Sequence, residues 1–418
     1  MKKDFVIVGS GIAGLSAAFF AGQKGKVTLI TKGFDLRNSK SFANNDGILF
    51  SKNLDILHSD ILKLHEFKDD YELKKVKSKI DFFIENVNGV YFFLKNILGV
   101  RFFDEGEKIF GFSEKNIFFS GERTGEEICK KFIEQIEKNP NIEIFLETEV
   151  TNLLFEEVEE RDARAEFIGG KRVLGVIGKN LETGEEKHFF GKNTLLATGS
   201  GEGIYDFNYI SDGIKLAKSV GAKIGKMHKI AWTPLCLDLK NVDKYFLPMN
   251  ILNHGAFLVN GKGEKFLQHY IDPKKIDYNG NHVLNYDLSD DFEENHGNTF
   301  LMNELSSAVF AEVQKSGQVF LDMRYRTKNF WEKNFPELFY FLNFQKIDVL
   351  KDLIPIKNIQ QFVIGGVEVS ESAKTSVSRL YVSGELANFG VLGEHWLPGV
   401  IISKSIILSK SFVDNAVL

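Results

Sequence analysis

The residues with the clearest chemical purpose are three glycines, Gly9, Gly11 and Gly14, at G-x-G-x-x-G spacing near the start of a 418-residue chain. Four apolar residues, Phe5 to Val8, precede them and read as a buried strand, while Leu15 to Gly25 read as a helix. In a strand–turn–helix unit the first glycine permits the tight turn, the second lets backbone approach a pyrophosphate, and the third packs helix on strand. The helix N-terminus adds unsatisfied N–H groups and a partial positive charge, so the chemistry on offer is capture of a dinucleotide diphosphate. Val27 to Ile30 returns as a second strand, closing a βαβ unit. Thr31 and Lys32 follow it, where an NAD site places an acid for the ribose hydroxyls. Their presence points away from NAD and leaves room for another dinucleotide such as FAD.

The elements around this unit follow from periodicity. Asp35 to Phe50 is polar and turn-rich, with Asn38, Ser39, Asn44, Asn45, Asp46 and Gly47; its length suits a binding loop. Apolar residues recur at helical spacing through residues 54–98, where His58 and His65 read as surface or core histidines. Thr124 to Lys138 reads as another helix, with Thr124 and Glu127 as a capping box. Ile142 to Phe145 and Glu149 to Leu154 look like strands of the same sheet, followed by a meander at Arg172 to Val176 and His188 to Gly191. A further strand ends in a glycine turn at Ala197, Thr198 and Gly199, and Asp212 opens a helix through Ile214, Ala217 and Val220. From residue 229 to 351 aromatics, amides and acids mix and periodicity weakens, which marks a separately folded unit; its acidic run, Asp287 to Glu294, reads as a solvated face. Strands return at Phe362 to Ile364 and Leu380 to Val382, and Pro398 and Gly399 open a last helix, Val400 to Phe412.

Composition bounds the rest. Hydrophobic residues make up 43% and charged residues 26%, an ordinary globular balance. A net charge of −5 and a pI near 6.1 give no footprint for nucleic acid. Cys129 and Cys236 stand far apart, so neither a disulfide framework nor a cysteine metal site is expected, and a reducing cytoplasm is the expected location. No stretch reaches the ~18 apolar residues of a membrane span. Met1, Lys2 and Lys3 precede an apolar stretch, but Asp4 and the glycines interrupt it, so it is not read as a signal peptide.

Three distant pieces now agree: the loop from Gly9 to Gly14, the turn at Ala197 to Gly199, and the strand and turn from Leu380 to Glu385. Together they resemble the FAD-binding domain of the fumarate reductase and succinate dehydrogenase flavoprotein superfamily, and within it most of all the L-aspartate oxidase branch. Thr31 and Lys32, the passage Val319 to Met323, Phe335 and Pro336, Ile354 to Ile356, and Gly365 to Val367 are similar to that branch as well. The resemblance implies an α/β fold: a Rossmann-like FAD-binding domain of the glutathione-reductase type with an inserted α+β capping domain. Residues 1–228 and 352–418 would form the first, and 229–351 the second. It implies FAD as cofactor, hydride transfer between a small organic substrate and flavin N5, an unidentified electron acceptor, and room for a protein partner. Gly9, Ser10, Gly11, Ile12, Ala13, Gly14 and Lys32 would hold the diphosphate and adenosine end, Ser39 to Gly47 the flavin, and Val150 the adenine. Ala197, Thr198 and Gly199 would supply the second turn, Asp212 and Glu385 hydrogen bonds to hydroxyls, and Ile401 and Ile402 backbone N–H groups at the pyrimidine edge. No histidine occurs between Lys32 and Phe50, so FAD is expected to be held non-covalently. The family's further C-terminal helices are not expected, since the chain stops soon after Phe412.

The departures concern the substrate. The family grips a dicarboxylate with two histidines and two arginines, and the matching positions here are Thr233, Gln361, Ala308 and Trp396. A charge-assisted hydrogen bond to carboxylate contributes about 1.5–3 kcal/mol, and a positioned acid–base group about 10²–10⁴ in rate. Glu394 and His395, which fall where the family places substrate-facing residues, and His254, on a stretch resembling a family loop, are the remaining catalytic candidates. The alternative is an FAD-binding protein that has lost dicarboxylate chemistry and serves as a partner or regulatory subunit.

Overall fold

The unbroken apolar run Phe5 to Val8 has a simple cause: β1 (Lys3–Val8) is covered on both faces, and Phe5 to Ile7 are wholly buried. The architecture comes from a computed structural model that describes residues 2–67, 69–109, 111–158, 170–200, 211–242, 244–272, 274 and 301–417. Beside β1 lie β2 (Val27–Ile30) and β3 (Ile142–Phe145), all parallel. Three more strands, β4 (Thr148–Glu157), β5 (Lys171–Asn180) and β6 (Glu186–Leu196), complete the order β3-β2-β1-β6-β5-β4. The long strand β6 joins two kinds of sheet. Its N-terminal half pairs antiparallel with β5, whereas its C-terminal half runs parallel to β1.

A second, antiparallel sheet of four strands has the order β7 (Ile230–Leu237), β10 (Ile354–Val363), β9 (Val319–Asp322) and β8 (Phe257–Asn260). The expected strand at Phe362 to Ile364 is thus the end of a ten-residue strand of this second sheet. The strand β10, just beyond the expected boundary at 351/352, pairs within this second sheet. The chain then returns to the first sheet through β11 (Leu380–Val382), which lies parallel to β6.

Helices α1 (Ile12–Gly22), α2 (Leu54–Leu62), α3 (Asp70–Phe92) and α4 (Thr124–Ile136) precede the meander. Helix α5 (Asp212–Ser219) follows it; α6 (Met302–Ser316), α7 (Lys328–Asn334) and α8 (Pro336–Phe344) belong with the second sheet, and α9 (Val400–Asn415) closes the fold. Helix α1 packs against α4 and α9, with Phe5 edge-on to Phe412 at 5.7 Å. Two expectations shift here. The first helix starts at Ile12 rather than Leu15, because Gly11 is already extended and caps it. Thr124 does not cap α4: its hydroxyl is taken by the Ser120 N–H at 3.0 Å, so Arg123 holds the cap position. The acidic run at 287–294 and Gly201 lie outside the described residues.

Candidate functional site

The glycine turn is built by close backbone approach. Gly9 has φ +108°, and a Cβ there would lie 2.3 Å from the Ala197 carbonyl oxygen; a Cβ on Gly14 would lie 1.8 Å from the Gly9 oxygen. The Gly9 N–H donates to Ile30 O, and the Ala197 N–H to Val8 O, each at 2.8 Å, which clamps the turn to the ends of the parallel strands. Helix α1 carries no side-chain cap, and the Ile12 N–H reaches only the Ser41 hydroxyl, at 2.9 Å.

A cleft of about 900 Å³ runs over these strand ends, where ligands bind in open α/β sheets. Gly9 to Ala13 form its floor, with Ala197, Thr198 and Gly199 beside them. At one end stand Lys32, Val150 and Asp212, with the Lys32 ammonium 2.7 Å from Asp212 and 3.9 Å from Glu149. At the other end stand Glu385, Ile401 and Ile402. Ser39 joins them from the polar loop, so the three distant turns converge on one cleft. Of the residues expected to touch a cofactor, Gly14 and, within Ser39 to Gly47, Phe42, Ala43, Asn45, Asp46 and Gly47 do not line it. Gly14 packs behind the turn, and Gly47 (φ +72°) makes a turn against Ile117. The cleft also takes in Arg37, Lys40, Ser41 and Leu181, which sequence reasoning did not single out. In the sequence Arg37 and Lys40 stand out only as the two cations of the polar loop.

The fit to FAD can be tested on polar atoms. Ser39 Oγ and Thr198 Oγ1 are buried on this cleft with no hydrogen-bond partner, a cost that ligand hydroxyls or phosphates would remove. Together with the uncapped α1 N-terminus they suit an anionic dinucleotide. Behind the far end lies Lys404, 4% exposed, whose ammonium donates to Ala387 O at 3.0 Å. Burial pushes this amine down to about 8, opposed by the Glu385 carboxylate. The buried Asp46 carboxyl moves the other way, up to about 6, chiefly through burial and with Glu385 adding repulsion against the Asn44 hydrogen bond.

The expected catalytic candidates lie elsewhere. The Glu394 carboxylate pairs with the Lys229 ammonium and accepts the Glu66 N–H at 2.8 Å. The Glu394 and His395 N–H groups both donate to Leu64 O, fastening this loop to the end of α2. His254 sits edge-on to Phe335 at 5.1 Å, with Nε2 3.9 Å from Glu107. None of the three lines the cleft. By contrast, the four substituted positions all lie on or against the second sheet. Trp396 is fully buried, donates through Nε1 to Trp232 O at 3.3 Å and packs edge-on to Phe362. Thr233 pairs with Ile359 across β7 and β10, Gln361 lies two residues beyond on β10, and α6, carrying the buried Ala308, packs on β7. The Arg326 guanidinium is committed elsewhere, to His254 O at 2.9 Å and over the Phe330 ring.

His65, beside this loop, supports a prediction. Burial holds its imidazole down to about 4, below its usual 6.5, with Val391 O opposing. The unfolded chain therefore takes up a proton as pH falls below 6.5 while the folded chain does not, so stability declines between about 6.5 and 4. Urea midpoints at pH 7 and pH 5 are expected to differ less in His65→Gln than in the parent.

Compared with known proteins, residues 4–400 match the family described as "FAD binding domain". The L-aspartate oxidase of Yersinia pestis is 24% identical over 99% of this chain and 74% of its own length; that of Clostridium perfringens is 23% identical, over 99% and 89%. Among solved structures, E. coli quinol fumarate reductase superposes with a TM-score of 0.80 at 19% identity, covering 100% of this chain and 70% of that one. A 3-ketosteroid dehydrogenase from Sterolibacterium denitrificans, in complex with an androstadiene-dione, gives 0.65 at 12% identity and covers 99% of both chains. The convergent turns, the unpartnered hydroxyls on the cleft and a match spanning nearly the whole chain agree: the chain belongs to the FAD binding domain family, its relatives are L-aspartate oxidases, and its cofactor is FAD.

Proposed function

We propose that this FAD-dependent oxidoreductase moves hydride between flavin N5 and a small organic substrate that is not a dicarboxylate. The carrying observation is that Thr233, Ala308, Gln361 and Trp396, at the positions of the family's dicarboxylate-gripping cations, all lie on or against the second sheet, with a fully buried Trp396 indole in the place of an arginine. Removing two guanidinium contacts of about 1.5–3 kcal/mol each weakens a dianion by roughly 10²–10⁴-fold. The same fold occurs in a dehydrogenase solved with a steroid dione, so it accommodates an uncharged substrate there. The second sheet, with α6 to α8, would act as the cap over the cleft.

In this reading Gly9 to Ala13 and the α1 N-terminus hold the diphosphate. Ser39 and Thr198 give their hydroxyls to the cofactor, and Asp212 and Glu385 accept from its hydroxyls. Bound FAD supplies the hydride acceptor or donor. Ile401 and Ile402, in the first turn of α9, bring the positive end of that helix to the cofactor, which favours a reduced, anionic ring.

The test is anaerobic titration of the yellow protein. L-aspartate and succinate are expected to leave the flavin absorbance unchanged at concentrations that bleach an L-aspartate oxidase; bleaching at comparable concentrations sinks the reading. Acid precipitation is expected to release all flavin into the supernatant, since no histidine stands in the loop that would carry a covalent link. The burial of Trp396 also favours a second reading, in which the chain binds FAD but serves a partner. Bleaching by none of a panel of amines, alcohols and ketosteroids would favour it.

A further inference from the structure

Of the exposed large apolar side chains among the described residues, only two line the cleft: Phe34, 67% exposed, and Leu181, 52% exposed. Both stand at its Lys32 end, and the backbone binds them into one rim. The Glu147 N–H donates to Gly33 O at 3.0 Å, and the Leu181 N–H donates to Glu147 O at 2.7 Å. Glu147 makes these two bonds at φ +46°, a left-handed conformation that a residue with a side chain seldom takes and that is kept where function requires it. Each apolar side chain also rises from a pinned turn. Asp35 Oδ1 accepts the Arg37 and Asn38 N–H groups at 2.7 and 3.0 Å, and Asn180 Oδ1 accepts those of Glu182 and Thr183 at 3.0 and 2.8 Å.

Phosphate and ribose gain nothing from apolar carbon, whereas a flat heteroaromatic base hides its faces on it. A flavin must also meet its substrate, and the second unit adjoins the cleft loop away from this rim. Asn45, beside the cleft-lining Asn44, donates through Nδ2 to Leu247 O of that unit at 2.8 Å. That leaves the Lys32 end for the other half of the dinucleotide. Resting on the FAD reading above, we infer that Phe34 and Leu181 form a clamp on the adenine of FAD, and that this clamp sets the site's preference for the dinucleotide over flavin mononucleotide. The clamp is fixed before ligand arrives, because the Glu147 bonds already hold its two sides, so little backbone ordering opposes binding. Closing on the base removes apolar surface of both side chains from water, which adds to affinity.

The experiment titrates the 418-residue chain, freed of flavin, with ADP by calorimetry and with FAD and flavin mononucleotide by fluorescence. Phe34→Ala is expected to weaken ADP and FAD alike by about tenfold, and Leu181→Ala by about fivefold, while the mononucleotide binds as it does to the parent. Phe34→Trp, which keeps an aromatic face, is expected to hold ADP and FAD as the parent does. Both side chains are mostly exposed, so the urea midpoints of the flavin-free variants should match the parent's, which separates a lost contact from a damaged fold. Unchanged ADP and FAD affinities in either alanine variant overturn the inference, and so does an equal loss for the mononucleotide. A parent that binds ADP but no flavin, with the loss in both variants, fails the FAD reading and leaves the adenine site in place. A parent that binds FAD with unchanged variants fails the clamp alone, and one that binds neither ligand overturns both.

Discussion

Gly14→Val is expected to give a protein that purifies without flavin colour and binds added FAD at least about 100-fold more weakly than the parent. A Cβ at residue 14 would sit 1.8 Å from the Gly9 carbonyl oxygen, and that carbonyl cannot retreat. The Gly9 N–H is tied to Ile30 O, and the turn already presses on Ala197, so relief must come from moving α1 away from β1. Overpacking of this kind costs about 1–3 kcal/mol in stability. Its larger effect is on function, because a displaced α1 N-terminus no longer aims its N–H groups at the diphosphate. Flavin-to-protein absorbance ratios and fluorescence titration with FAD measure the loss. A yellow G14V protein of unchanged affinity would remove the turn from the cofactor site.

The second large effect concerns Trp396. Trp396→Ala is expected to lower the unfolding free energy by about 3–5 kcal/mol, the range for truncating a fully buried aromatic. The indole fills space beside Phe362, and its loss also leaves the Trp232 carbonyl without the Nε1–H donor. Urea unfolding midpoints check this figure. On the reading that Trp396 replaces a substrate-gripping arginine, the same variant changes which compounds bleach the protein anaerobically. A stability loss under 1 kcal/mol would mean that the indole is loosely held and that its side chain is not a plug.

Much of the fold was legible because local chemistry and the final structure agree. The apolar run in β1, the glycine spacing and the return strand β2 leave little choice of local structure. The seven-stranded sheet could be partly inferred from the same signals, down to the meander of β4, β5 and β6. Thr124 reads as a cap from its sequence, but its hydroxyl is claimed by the N–H of Ser120, four residues earlier, across a turn through Gly121 at φ +63°. The second sheet hid its limits because β10, the strand that completes it, follows a helical stretch and pairs with β7 more than a hundred residues away.

The site divides along the same line. Sequence alone determined that this chain would cradle a dinucleotide, because glycine spacing acts through sterics within a few residues, and the resemblance pointed to Thr233, Ala308, Gln361 and Trp396 as expected replacements for a dicarboxylate's cations. Only the tertiary structure decided what those replacements do. It showed the Trp396 indole wholly buried, Glu394 consumed by Lys229 and the Glu66 N–H, and Asp46 buried against Asn44. The physical reason is that a side chain's charge and function are set by the groups it meets across the fold, and those meetings have no period along the chain.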